Sequence, residues 1–234
     1  MIIMTPDTLN FFEELEVNNN RDWFLANKGR YDAIHDDFIE LTSRIIYALS
    51  PLDPTIGHPE PKRCLYRIYR DLRFTPDKRP YKTHISFFLS SGGPKRSSMP
   101  GYYLQIGQED YGLQGNCTLG GGIFMPDRDT LAAIRQEIFY NTDEFLAIVN
   151  EPGYKRFFGD TFFTTKILSR APKGYPNDWP HVQWLKYNDY CTMHSVPNKL
   201  TLSDGFFDHL VEVFCATVPL NQFIQRAMGM QNGD

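Results

Sequence analysis

The sequence has no long hydrophobic run and no targeting signal at its start. None of its apolar stretches approaches the ~20 residues that a membrane-spanning helix needs. Neither a basic leader nor a small-residue cleavage site is found in the first residues, MIIMTPDTLNFFEELE, so we expect no secretory signal peptide. These absences predict a cytoplasmic protein that does not contact membranes.

Cysteine and histidine are sparse and lack metal-binding spacing. The four cysteines form no CxxC pair and lie far apart, at Cys64, Cys117, Cys191 and Cys215. In a cytoplasmic protein of this size we expect them to be reduced, mostly buried thiols. The six histidines form neither HExxH nor HxH. The sequence therefore predicts no disulfide framework, no metal site and no cofactor.

Common motifs of hydrolases and nucleotide-binding proteins are also missing. There is no GxSxG nucleophile elbow, and neither GxxxxGK[ST] nor GxGxxG occurs. Three consecutive glycines, Gly120, Gly121 and Gly122, precede a predicted helix. Without a phosphate-binding motif around them, we expect a flexible turn or a close approach of two backbones there.

The composition supports one large hydrophobic core. Of the 234 residues, 41% are apolar and 15% are aromatic. This length is compatible with a single domain, and the aromatic share favours ring-lined packing or a pocket. No repeat, low-complexity tract or linker interrupts the chain, so we predict one domain over residues 1–234.

The two ends of the chain show helical periodicity. Residues 5–50 are predicted to be helical, with a first helix after Thr5 and a second from Arg21, which breaks near Lys28. Asp127 and Thr142 begin two further helices within residues 127–150. A last helix covers residues 204–228, where Pro219 either kinks it or starts a new one. Residues 150–200 are rich in proline, glycine and aromatics and are predicted to be irregular, with a strand near 187–194.

The middle of the chain, residues 64–118, has the period of two that is typical of strands. We predict strands at Arg67 to Arg70, Thr83 to Ser90, Tyr102 to Ile106 and Tyr111 to Cys117. Their short connections favour an antiparallel meander. Together with the flanking helices this predicts an α+β fold, with a sheet of four to six strands packed by the N- and C-terminal helices.

Charge is unevenly distributed along the chain. The net charge is −4, which argues against general nucleic-acid binding. Residues 1–59 contain four basic and ten acidic side chains, whereas residues 60–82 contain eight basic and three acidic ones. One third of the 24 Lys and Arg residues thus falls in a short segment. Such a concentration either faces an anionic partner or is neutralised by the protein's own carboxylates.

The candidate functional site is the segment RIYRDLRFTPDKRPYKTH, residues 67–84. Its cations are the residue types that hold a phosphate or carboxylate, with bidentate contacts from arginine and a point charge from lysine. His84 is a candidate acid–base group because an imidazole titrates near neutrality. If Arg70 lies on an apolar face, it needs a partner such as Asp71 or an acid of the first two helices. The predicted ligand-binding residues are Arg67, Arg70, Arg73, Lys78 and Lys82, joined by Arg21 and Lys173.

Two other functions remain open from the residues alone. The basic cluster can be internal ion pairing in a scaffold or protein-interaction module, whose aromatic-rich region 150–190 docks a partner through residues such as Trp179. Alternatively, the basic segment can bind nucleic acid weakly, with Tyr66, Tyr69 and Tyr81 as stacking rings. The overall acidity makes nucleic acid the third choice, after an anionic small molecule and a protein partner.

The sequence resembles a conserved bacterial and fungal family, domain of unknown function 2461. The similarity is carried by RIYRDLRFTPDKRPYKTH and by four other segments in the same order: NNNRDWFLANKGRYD (18–32), GYYLQI (101–106), LGGGIFMPDRDTLAAIR (119–135) and LSRAPKGYPNDWPHVQWLKY (168–187). It covers most of the chain and favours a single unit. The resemblance implies no activity, cofactor or catalytic residue that could be carried over.

Overall fold

A computed structural model of the protein describes residues 4–73, 76–91, 93–96, 98–108 and 116–229. An antiparallel sheet lies against helices from both ends of the chain, which confirms the predicted α+β fold. The buried apolar side chains form one continuous core that includes helices and sheet alike.

The α-helices that the structure describes occupy three stretches of the chain, 6–64, 128–158 and 198–227. They are α1 (Pro6–Val17), α2 (Arg21–Ala26), α3 (Lys28–Leu49), α4 (Pro61–Cys64), α5 (Arg128–Tyr140), α6 (Thr142–Val149), α7 (Pro152–Phe158), α8 (Asn198–Thr201) and α9 (Phe206–Ala227), with 3-10 turns at Pro54–Ile56 and Val182–Lys186. None of the described helices is both long enough and apolar enough to cross a membrane.

The sheet is antiparallel at every described pairing. Its strands are β1 (His84–Ser90), β2 (Gly93–Pro94), β3 (Gly101–Gly107), β4 (Cys117–Ile123), β5 (Tyr190–Cys191) and β6 (His194–Ser195). The order is β2-β1-β3-β4-β5, and β6 also pairs with β4. The three long strands β1, β3 and β4 are neighbours in chain order as in a meander, except that the two-residue strand β2 returns against the other edge of β1 before β3 begins.

Most predicted helices are confirmed, including the interruption of the second one. Asn27 separates α2 from α3, one residue before the expected break. The side chain of Asp127 accepts a hydrogen bond from the backbone N–H of Thr130 at 2.8 Å and so caps α5 as predicted. The last helix continues through Pro219. The expectation of an irregular 150–200 region is wrong in part, because α7, α8 and the 3-10 turn lie within it.

The predicted first strand, at Arg67 to Arg70, is wrong. Among the described residues, Tyr69 in this segment forms an isolated bridge with Tyr81, and Leu65 just before the segment forms another with Phe87. Its hydrogen bonds go to two different neighbours, since Tyr66 N donates to Ser86 O in β1 while Lys82 N donates to Ile68 O. A ladder along one partner therefore does not form, and the sheet proper begins at β1.

The predicted fourth strand is displaced along the chain. Residues 111–115 of that prediction lie outside the described residues, and β4 takes in the glycine triplet. A Cβ atom on Gly120 would lie 1.7 Å from the carbonyl oxygen of Thr192. Of the two expectations for the triplet, the close backbone approach is therefore confirmed, and the flexible turn is wrong.

The two faces of the sheet have different roles. Successive side chains of a strand alternate between faces. Phe87 in β1 and Tyr102 in β3 point to the helices, with their rings 6.2 and 5.7 Å from the ring of Phe214 in α9. The opposite side, which we call the outer face, carries His84, Ser86 and Phe88 of β1. The outer face is the one left for a ligand.

Candidate functional site

A cavity of about 410 Å³ lies on the outer face of the sheet. Residues of β1, β3 and β4 form its base, with β4 contributing the backbone of two glycines, and segments before β1 and around β5 form its walls. Pockets of this size commonly hold organic ligands. Its lining consists of Tyr66, Arg70, Asp71, Lys82, His84, Ser86, Phe88, Gly101, Tyr103, Gly121, Gly122, Phe124, Phe163, Cys191 and Met193.

One wall is the basic arm, which we define as residues 66–73 and 76–82. The arm doubles back on itself, because Arg70 N donates to Pro80 O at 3.0 Å and Lys82 N donates to Ile68 O at 2.7 Å. This pairing brings Arg70 and Lys82 to the same side. The ammonium nitrogen of Lys82 lies 5.1 Å from the ring centroid of Tyr66, within reach of a cation–π contact.

Ion pairs hold the arm in shape. Asp77 binds the guanidinium groups of both Arg70 and Arg79, and Arg79 also reaches Glu16 of α1 at 2.5 Å. Arg73 pairs with Asp71 at 2.7 Å. Hydrogen bonds from Arg79 and Arg70 lower the pKa of Asp77, so this carboxylate is ionised at neutral pH. Arg70 does need a partner as expected, but the partner is Asp77 and not Asp71 or an acid of the first helices.

His84 is the buried polar group of the site. Only 7% of its surface is exposed, and its Nδ1 atom has no hydrogen-bond partner among the residues that the structure describes. Burial lowers the pKa of His84 to about 4, and the positive charges of Lys82 and Arg70 add to the effect. The imidazole is therefore neutral at pH 7. A buried, unsatisfied nitrogen is costly unless a ligand or water binds it.

A row of buried polar side chains crosses the outer face, and Ser86 at one end of the row lines the cavity. Ser86, Gln105 and Thr118 stand opposite one another in the register of β1, β3 and β4, each only 2% exposed. The hydroxyl of Tyr103 donates to Oε1 of Gln105 at 2.7 Å, which fixes the ring of Tyr103 above β3. Ser86 is therefore the member of this row that a ligand in the cavity would contact.

The other wall is aromatic. Phe124 follows β4, and Phe163 joins β5 through a hydrogen bond from its N–H to Cys191 O at 2.8 Å. The two rings are 5.9 Å apart, with 34° between their planes. Phe124 is 38% exposed, which is unusual for a phenylalanine that has a partner ring. Met193 completes this wall.

Asp189 holds the aromatic wall together. Its carboxylate is 1% exposed and accepts hydrogen bonds from Met125 N at 2.6 Å and Thr165 N at 2.6 Å. The hydroxyls of Thr165 and Thr164 donate to it as well, at 2.7 and 2.9 Å. Burial would raise the pKa of Asp189, but these hydrogen bonds outweigh it and the pKa is lowered. Because Met125 and Thr164 directly follow Phe124 and Phe163, this one carboxylate positions both rings.

Of the predicted site residues, the structure brings three together. Arg70, Lys82 and His84 all line the cavity. The others lie outside the lining that the structure describes: Arg67, Arg73, Lys78, Arg21 and Lys173. Arg73 and Lys78 instead support the arm, since Arg73 pairs with Asp71 and Lys78 Nζ donates to Leu72 O at 3.0 Å. Lys173 lies on an exposed loop.

Cys191 does not act as a nucleophile in the site as it stands. Burial raises the pKa of its thiol to about 12, so it is protonated at pH 7. The four cysteines are free thiols. Within the described part of the chain, no three histidine, cysteine or acidic side chains come close enough together to hold a metal ion.

Sequence reasoning missed the aromatic wall and part of the base. The alternation in β1 that places Phe87 in the core also places Ser86 and Phe88 beside His84, so these residues could have been found. No local signal marks Phe124, Phe163 or Met193, because they meet only when β5 folds against β4.

Comparison with known families agrees with the resemblance carried by the motifs. A family model described as conserved hypothetical protein (DUF2461) matches residues 7–223. No curated protein and no solved structure gave a significant match to this chain.

Proposed function

The chain belongs to this DUF2461 family, and we propose that its cavity binds a small organic anion that carries a phosphate or carboxylate group. Phosphate and carboxylate are the groups that arginine and lysine recognise best. Both residue types face the same side of the basic arm, next to a polar base.

The observation that carries the proposal is the unsatisfied Nδ1 of His84, on the base of the cavity beside a wall that contains Arg70 and Lys82. These two cations disfavour the protonated imidazole. An anion bound beside them offsets their charge and provides oxygen atoms to which the imidazole can donate. The charges and the unsatisfied nitrogen of the site are thus best balanced when a negative group occupies it.

His84 is also our candidate for proton transfer. In the free protein it is a weak base, since its pKa is about 4. An anionic ligand raises this pKa towards neutrality, where an imidazole works best as a general acid or base. Any catalysis would therefore depend on the charge of the ligand itself.

The alternatives have less support in the site geometry. Tyr81 is 4% exposed and stacks on Phe24 with ring centroids 4.1 Å apart, so it is not available to stack on a base. Trp179 packs on Phe139 at 5.0 Å instead of standing free for a protein partner. The ion pairs of Arg73 and Arg79 do have the structural role that the scaffold interpretation gave to the whole cluster.

We also propose a cytoplasmic location. The four free thiols support this location, because a reducing compartment keeps cysteines in the thiol form.

Replacement of Lys82 by methionine tests the binding proposal. We expect Lys82→Met to weaken the binding of phenyl phosphate about 10-fold or more, because a charge-assisted contact contributes roughly 1.5–3 kcal/mol. The measurement is isothermal titration calorimetry at fixed ionic strength. Methionine keeps most of the apolar volume, so the fold is expected to survive.

Lys173→Met is the matched control, because it removes the same charge from a predicted site residue outside the cavity. Its affinity for phenyl phosphate is expected to equal that of the unmodified protein. Equal losses in both variants would mean that only the overall charge matters. Absence of binding by the unmodified protein would refute the proposal.

A further inference from the structure

The cavity has two chemically different walls, and the difference between them identifies the ligand more closely. The basic arm presents Arg70, Lys82 and the hydroxyl-bearing ring of Tyr66. The opposite wall presents Phe124, Phe163 and Met193. This inference rests on the proposed function, because it assumes that the basic wall holds an anion.

A small inorganic anion leaves most of this space unused. A water molecule occupies about 30 Å³ in the liquid, and a phosphate group is only a few times larger. The cavity measures about 410 Å³. A ligand that fills it needs a body that extends from the anionic group towards the aromatic wall.

The aromatic wall favours a planar body. Phe88 of β1 and Tyr103 of β3 are direct neighbours in the register, and both contribute to the lining. The Phe124 and Phe163 rings, 5.9 Å apart, line the same cavity. Aromatic rings attract one another in offset or edge-to-face arrangements at such separations. Phe124 is 38% exposed, so part of its ring surface is open.

We infer that the ligand of this cavity is an aromatic organic anion, an aryl phosphate or aryl carboxylate, with its charged group at Lys82 and Arg70 and its ring against Phe124 and Phe163. The imidazole of His84 lies on the base, two residues after Lys82. This arrangement recognises a charged group and an aromatic ring in the same ligand.

Matched pairs of small anions test the inference. Phenyl phosphate is compared with methyl phosphate, and benzoate with acetate, by calorimetry on the same protein preparation. We expect the aromatic member of at least one pair to bind about 10-fold more tightly than its aliphatic partner. The pair that shows the difference identifies the anionic group.

Variants of the aromatic wall show whether the rings cause the preference. Phe124→Ala is expected to reduce the preference to less than about 3-fold while the affinity for the aliphatic anion stays unchanged. Phe124→Leu, which keeps an apolar side chain, should give an intermediate value. Tyr140→Ala is the control, because Tyr140 is a 73% exposed ring outside the cavity lining.

The outcomes separate this inference from the proposed function. Equal binding within each pair overturns the inference and leaves anion binding in place. A preference for aromatic anions that persists in Phe124→Ala also overturns it, since the ring would then bind elsewhere. If no member of either pair binds, the proposed function fails and the inference fails with it.

Discussion

Gly120→Ala is expected to destabilise the protein by about 3 kcal/mol or more, or to prevent folding. The added Cβ would lie 1.7 Å from the backbone oxygen of Thr192, a distance that no pair of atoms tolerates without a shift of the chain. Such a shift would break the hydrogen bond from Thr192 N to Gly121 O, now 2.8 Å long. The free energy of unfolding, measured with urea, reports the change.

Gly29→Ala is the control for this substitution. Gly29 lies in α3, and nothing stands within 4 Å of the position that its Cβ would take. Alanine is a better helix former than glycine, so we expect no loss and a gain of up to about 1 kcal/mol. If both variants unfold at the same urea concentration, the close approach of Thr192 to β4 is wrong. The wall that carries Cys191 and Met193 would then need another explanation.

Asp189→Asn should also cost much stability, about 2–4 kcal/mol. The carboxylate accepts four hydrogen bonds, from the backbone of Met125 and from Thr164 and Thr165. An asparagine has one acceptor oxygen, and its NH2 group would face donors in a site that is 1% exposed. Urea unfolding measures the loss. Because Phe124 and Phe163 depend on this group, we also expect a weaker preference for aromatic anions.

The same change at Asp127 gives the comparison. Asp127 accepts a hydrogen bond from Thr130 N at the start of α5, and asparagine caps helices about as well as aspartate. Asp127→Asn should therefore change the free energy of unfolding by less than about 0.5 kcal/mol. An Asp189→Asn variant as stable as Asp127→Asn would show that Asp189 does not hold the wall.

Much of the fold could be predicted because its signals are local. The cap at Asp127 and the alternation from Ile85 to Leu89 depend only on neighbouring residues. The error at Arg67 to Arg70 has the opposite cause. That segment has the composition of a strand, but its hydrogen bonds are shared between β1 and its own return limb.

The candidate site could be predicted only in part, for the same reason. Charge counting finds the basic arm, and the period of two puts Lys82 and His84 on one side. Neither signal shows that Asp77 binds Arg70 and Arg79, because that contact depends on how the basic arm turns. The aromatic wall depends on contacts between β4 and β5, which are far apart in the sequence.

Titration of His84 by NMR, with and without phenyl phosphate, tests most directly whether this cavity receives an anion. In the free protein the account predicts a pKa of about 4 for the imidazole. A negative charge next to Lys82 and Arg70 stabilises the protonated ring, so saturation with phenyl phosphate should move the pKa of His84 up towards the ordinary value of about 6.5. An unchanged His84 pKa at saturating phenyl phosphate would contradict the account.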